Sequence, residues 1–209
     1  MLTYQDIDPQ KEAFVFELDD VLFPKKDYLL QVYYLFANLL EYSRLSPPAS
    51  ELTEFLKSSY LDMGEKNLFE RAAERFGIEE HYKEAFSKLH VSAKLPLKLL
   101  LYKSVLALLL AMTGAGKKII ILTYGNPLIQ LNKIKQTEWN GLEDALKVYF
   151  YDEIKLKSNL EPLDYVLQEN EILPEAALSL GTTIKTKEIA ETAQVDYMDI
   201  QLFLAEEKD

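Results

Sequence analysis

Short apolar runs rich in β-branched and aromatic residues recur along the second half of this chain, separated by amphipathic helical patterns. The runs are Lys118–Thr123, Lys147–Tyr151, Ala177–Gly181 and a weaker one across Val195–Leu204, with a further run, Ala13–Glu17, standing alone near the start. Near-continuous apolarity over so few residues, without the alternation of a half-solvated sheet, suits strands covered on both faces. Helical patterns over Gln130–Gln136, Glu161–Asn170 and Lys187–Ala193 lead from each later run to the next. Strand and helix alternating in this way predict an α/β fold, a doubly wound parallel sheet with right-handed crossovers.

The gap of about a hundred residues between the first two runs far exceeds the crossover a βαβ unit needs. It predicts an inserted helical subdomain over residues 24–95, with the α/β core formed by 1–23 and 96–209. Asp27–Arg44 forms a strong helical pattern with Asp27 as its N-cap; Ser50–Tyr60, Lys66–Phe76 and Glu79–Leu89 follow, and Leu97–Met112 returns to the core. The first of these is apolar or aromatic nearly all round, so it has to be covered on most sides. Burial within the protein accounts for that; a self-association surface, and with it a homodimer, is the sharper alternative.

At 209 residues and 48% hydrophobic content the chain can bury a sizeable core. A net charge of −11 argues against a nucleic-acid partner, because phosphate binding needs clustered Lys and Arg. The lack of cysteine excludes disulfides and thiolate chemistry. The apolar stretch Leu95–Met112 is interrupted by Lys98 and Lys103, which favours a buried helix over a membrane span. With no signal-like N-terminus, the expectation is a cytoplasmic protein without a membrane partner.

Open parallel sheets bind ligands at the carboxyl ends of their strands. The first run ends FVFELDDVLFP, placing Glu17, Asp19 and Asp20 at the sheet edge. The second ends IIILTYGNPLIQLNKI; the third leads into DEIKLKSNLEPLDYVL; the fourth ends ALSLGTTIKTKEIA. In order and spacing these segments resemble the four motifs of the haloacid dehalogenase (HAD) superfamily, and the insert resembles that family's helical cap. The resemblance implies a HAD-like, Rossmannoid core, Mg²⁺-dependent hydrolase or phosphatase chemistry, and a small phosphorylated or anionic molecule as ligand. It places Glu17 at the nucleophile position, Asp19 at the acid/base position, Thr123 at the phosphoryl-binding hydroxyl and Lys157 at the charge-steadying lysine. Asp20, Tyr124, Gly125, Asn126, Thr182 and Lys187 complete the implied ligand-binding set, and Glu17 and Asp19 are the metal candidates.

Several of these positions depart from the family pattern. Glu17 stands where an Asp is usual, and the added methylene moves the carboxylate by roughly 1 Å, a displacement that can cost ~10²-fold in an in-line attack. Thr182 and Lys187 stand where the family has two acids, so fewer carboxylates remain for Mg²⁺, which is usually held through one or two of them plus substrate phosphate. The pattern therefore implies impaired catalysis, with an ammonium, that of Lys187, partly replacing the missing cation. The alternatives are an active Mg²⁺-dependent phosphatase working through Glu17 and Asp19, and a homo-oligomeric interaction module built on the Tyr-rich helix.

Each residue also has a reading without function. Glu17 can be a structural carboxylate satisfied by a lysine and backbone donors, Thr182 and Thr183 a turn after a strand, and Lys155, Lys157 and Lys185 solvated loop charges. TGAGKK at Thr113–Lys118 precedes a strand instead of following one, so it is a helix stop at Gly114 and Gly116 and not a phosphate loop. His81 and His90 are nine residues apart, which does not place them on adjacent helical turns as a metal pair would require.

Overall fold

A computed structural model describes residues 2–43 and 47–204. Its strands are β1 (Ala13–Phe16), β2 (Leu99–Leu100), β3 (Lys118–Thr123), β4 (Thr137–Glu138), β5 (Leu146–Phe150), β6 (Ala177–Gly181) and β7 (Asp196–Asp199). Its helices are α1 (Lys25–Tyr42), α2 (Ala49–Met63), α3 (Leu68–Phe76), α4 (Tyr82–Ser92), α5 (Lys103–Gly114), α6 (Pro127–Gln136), α7 (Tyr151–Lys157), α8 (Pro162–Glu169) and α9 (Ile184–Thr192). Two compact units result: one of residues 1–24, 99–130 and 137–209, the other of 25–98 and 131–136.

The first unit is the α/β body. Five strands form one sheet in the order β5-β3-β1-β6-β7, with every pairing parallel. The chain builds outward from β1 to β5, then returns to lay β6 on the other side of β1. The direction of winding therefore reverses at β1 and β6, and a crevice opens at their carboxyl ends. Val15, Ile120, Leu122 and Ala177 on one sheet face pack with Leu163, Val166, Ala190 and Val195. Both β1 and β6 are buried at every residue, which explains why their sequences show no alternation.

The second unit is helical. Tyr33 and Phe36 of α1 meet Phe86 of α4 at ring-centroid distances of 6.1 and 4.9 Å, and Phe69 of α3 joins them. The buried face of α1 runs through Tyr28, Leu29, Val32, Tyr33, Phe36, Ala37 and Leu40, whereas Tyr34 and Tyr42 are exposed. Inside this unit Asn132 donates to the Tyr28 hydroxyl and to Ala93 O, both at 3.1 Å, and Tyr28 donates in turn to His90 O. Burial holds the His90 imidazole down, at about 4, ahead of an opposing contribution from the Glu65 charge.

Several sequence-based boundaries shift. α1 starts at Lys25, directly after Pro24, so Asp27 is not its N-cap but an acid in its first turn, where negative charge suits the helix dipole. The expected C-terminal end of that helix, Arg44, lies outside the described residues. Helix α5 begins at Lys103 and not Leu97, because the chain before it is extended: Leu99 and Leu100 pair with Thr137 and Glu138, and Tyr102 N donates to Leu22 O at 2.9 Å. The last strand stops at Asp199, whose carboxylate accepts from Gln201 N at 2.8 Å and starts a 3-10 turn. Helix α5 does end at Gly114, and Gly116 takes φ 68°, the left-handed conformation that terminates helices. Among the described residues no helix is long and apolar enough to cross a membrane.

Candidate functional site

Glu17 lies one residue past β1, where its N–H still donates to Leu180 O at 3.1 Å and keeps the chain in register with β6. Its side chain is 8% exposed and turns toward the start of α9. There Oε2 accepts from Thr182 N at 3.2 Å, and Oε1 accepts from Thr183 Oγ1 at 3.4 Å and from Thr186 Oγ1 at shorter range. Thr183 is the N-cap of α9, accepting from Thr186 N at 3.1 Å. The carboxylate thus sits at the positive end of a helix, inside a cage of three threonines. Gly181 is required for the fit, because a Cβ there would lie 2.7 Å from Thr186 Cγ2 and 2.9 Å from Glu17 Oε2.

Burial raises the Glu17 carboxyl above its ordinary range; the threonine hydrogen bonds oppose that, and the nearby Asp19 charge adds to it. The void shared by Glu17, Tyr124 and Thr186 measures only about 10 Å³, the space of about one water. Among the described residues no lysine contributes to the cage, so the structural reading of Glu17 is met by threonine donors and not by an ammonium.

The next residues form a tight excursion. Leu22 N donates to Leu18 O at 3.1 Å and Asp20 N to Phe23 O at 2.9 Å, with Asp20 exposed and at φ 59°. Asp19 is half-buried and its Oδ2 accepts from Gln130 Nε2 at 3.3 Å; the same amide donates to Tyr124 O at 2.7 Å. Gln130 therefore ties the tip of β1 to the tip of β3. Thr123 ends β3 and is 2% exposed. Gly125 takes φ 93°, and Asn126 Oδ1 accepts from Leu128 N at 2.9 Å, opening α6.

Two expected site residues lie elsewhere. Lys157 ends α7, six residues beyond its start, and its 72% exposed side chain pairs with Glu153 at 3.1 Å. Helical rise carries it roughly 9 Å from the strand tip, which is why it does not meet Glu17. Lys187 follows Thr186, so helical rotation turns it about 100° away from the face that carries Thr186 to Glu17. Its ammonium lies 3.8 Å from Glu191 in solvent, and the expected neutralisation of Glu17 by Lys187 does not occur.

Other residues do gather at this edge. Tyr124 and Tyr151, at the ends of β3 and β5, have ring centroids 4.6 Å apart, and Lys185 Nζ lies 4.7 and 5.0 Å from the two centroids. Burial and then the Glu17 charge push the Tyr124 phenol up. Tyr197 on β7 is pushed up to about 12 by burial, with the Asp199 and Glu17 charges adding to it. In the Glu17 cage, Thr186 carries a readable signal: Thr183-x-x-Thr186 directly after a buried strand is the spacing of an N-cap and its N3 partner.

The donor set does not suit a divalent cation. Among the described residues no group of three His, Asp or Glu side chains converges, Thr182 offers a neutral hydroxyl, and the Glu17 carboxylate already accepts from the threonine cage.

No protein-family model matches the sequence, and neither does any curated protein. Among solved structures, the chain is similar to a Thermotoga maritima protein provisionally assigned as a beta-phosphoglucomutase, with TM-score 0.60 and 18% identity over 88% of this chain and 82% of that one. It is similar also to a HAD family hydrolase from Deinococcus radiodurans with bound phosphate and sodium, at TM-score 0.55 and 14% identity over 92% and 81%. A third is an L-2-haloacid dehalogenase, at TM-score 0.55 and 15% identity over 90% and 82%. The chain therefore has the fold of the HAD hydrolases.

Proposed function

We propose that this chain is a HAD-fold protein that has given up Mg²⁺-dependent phosphoryl transfer and keeps the carboxyl edge of its sheet for binding. The observation that carries this reading is the threonine cage. A nucleophilic carboxylate has to present a free oxygen to the transferring group within a near-attack distance. Here both Glu17 oxygens accept hydrogen bonds from the start of α9, and burial raises its proton affinity, so it is a poorer ligand for a cation than an ordinary carboxylate. The Glu17 carboxyl itself acts as the acceptor that organises the strand tip.

Recognition of a small phosphorylated or anionic molecule falls in this reading to the Thr123 hydroxyl and the Tyr124–Asn126 turn, without Lys157. The acidic composition and the lack of cysteine support a cytoplasmic setting. The test is calorimetry with Mg²⁺ and inorganic phosphate, beside hydrolysis of a generic aryl phosphate. We expect no stoichiometric Mg²⁺ binding and no turnover above background. Turnover that disappears in both Glu17→Ala and Asp19→Ala would establish the phosphatase reading instead.

A further inference from the structure

A second concavity opens on the flank of the α/β unit, where the start of α8 faces one side of α9. Its volume is about 250 Å³, just below the usual range of small-molecule sites and therefore suited to a ligand of amino-acid size. Its floor is apolar, made by Leu163, Ile189 and Ala193, and Tyr151 stands as one wall. Lys185, Glu188, Ile189 and Thr192 reach it because they recur at the three- and four-residue spacing of a single helical face.

The charges around this floor are of both signs. Glu161 is neutralised, with both oxygens 2.6 Å from Lys155 Nζ. Asp164 of α8 and Glu188 of α9 also line the cavity, and among the described residues neither has a cation within ion-pair distance. Lys185 is held over the Tyr124 and Tyr151 rings and likewise has no carboxylate partner among the described residues. The cavity thus offers two uncompensated carboxylates, one uncompensated ammonium and an apolar floor.

We propose that this cavity binds a small zwitterion, an ammonium and a carboxylate on one apolar skeleton, for which an apolar α-amino acid is the simplest case. The ligand's ammonium faces Asp164 and Glu188, its carboxylate faces Lys185, and its side chain covers Leu163, Ile189 and Ala193. A simple anion would meet two unneutralised acids, and a simple amine would meet the lysine. A bare metal ion would gain nothing from the apolar floor. A ligand carrying both charges complements every group at the rim, which a ligand of one sign does not. This inference goes beyond the reading of the Glu17 cage and is tested without reference to phosphate or Mg²⁺.

The experiment is calorimetry on the full chain with a panel of apolar L-amino acids up to about 10 mM, which covers millimolar affinity. It is repeated for L-leucine with isopentylamine, which lacks the carboxylate, and 4-methylpentanoate, which lacks the ammonium. We expect at least one amino acid to bind, and each analogue of L-leucine to bind about tenfold more weakly than L-leucine or not at all, the scale of one lost charge-assisted contact. Glu188→Gln and Lys185→Met, both at exposed positions, should each weaken binding by about tenfold, and Thr192→Trp should abolish it by filling the space. Circular dichroism and melting temperature check that these variants are folded. In amide NMR spectra the perturbed residues should fall in Leu163–Tyr165 and Lys185–Ala193. Absence of binding across the panel, equal binding of leucine and its analogues, or perturbations centred elsewhere would overturn the proposal.

Discussion

Glu17→Ala and Glu17→Gln separate what the carboxylate contributes as an acceptor from what its charge costs. In Glu17→Ala the Thr182 N–H loses its acceptor, a loss of about 1–3 kcal/mol for a donor left unsatisfied. Thr186 keeps a partner in Thr183, 2.7 Å away, and so loses less. The one buried methylene that is lost adds about 0.8 kcal/mol. Against these stands relief from burying a carboxylate whose proton affinity is raised. The balance is a destabilisation on the order of 2 kcal/mol, or about 4–8 °C in melting temperature for a chain of this size. Glu17→Gln keeps the shape and an acceptor and should lie within about 1 kcal/mol of the parent at neutral pH.

The pH dependence discriminates further. Because the folded carboxyl titrates above its unfolded value of 4.5, the native state binds more protons than the unfolded state in the window above that value. Stability from this group is therefore greatest at low pH and falls as pH rises through the folded value. The parent minus Glu17→Gln difference, measured by thermal denaturation from pH 4 to 8, should decline with rising pH while all shared titrations cancel. A difference that is flat or rises with pH would refute burial as the dominant influence on the Glu17 carboxyl, and a Glu17→Ala variant as stable as the parent would refute the cage as the reason Glu17 is held.

Three shorter predictions follow from the same geometry. Gly181→Ala should cost about 1–3 kcal/mol in urea denaturation, because its Cβ has to push back Thr186 and Glu17. Lys157→Met should shift the melting temperature by less than about 2 °C and leave any phosphate response unchanged, since its side chain is solvent-exposed and pairs with Glu153 on the same helix. The His90 ring should remain neutral in NMR titration until about pH 4; stability from this group is lost as pH falls from 6.5 toward that value, and His90→Phe should remove that part of the acid sensitivity.

The sheet is legible in the sequence. Ala13–Phe16, Lys118–Thr123 and Ala177–Gly181 are strands because short β-branched and apolar runs have no other way to be buried on both faces, and the alternation with helices dictates parallel pairing. The residues at the strand tips were legible as well, since chain position alone places Glu17, Thr123 and Thr182 at the carboxyl edge. Side-chain direction was not, and direction decides the chemistry. Thr186 reaches Glu17 and Lys187 does not, although they are neighbours, because a helix rotates about 100° per residue and only its anchoring at Thr183 sets the phase. Lys157 was misplaced because the length of α7, which carries it away from the strand, is a matter of packing. Lys185 passed for a loop charge until Tyr124 and Tyr151, 27 positions apart in sequence, were brought together beneath it by adjacent strands.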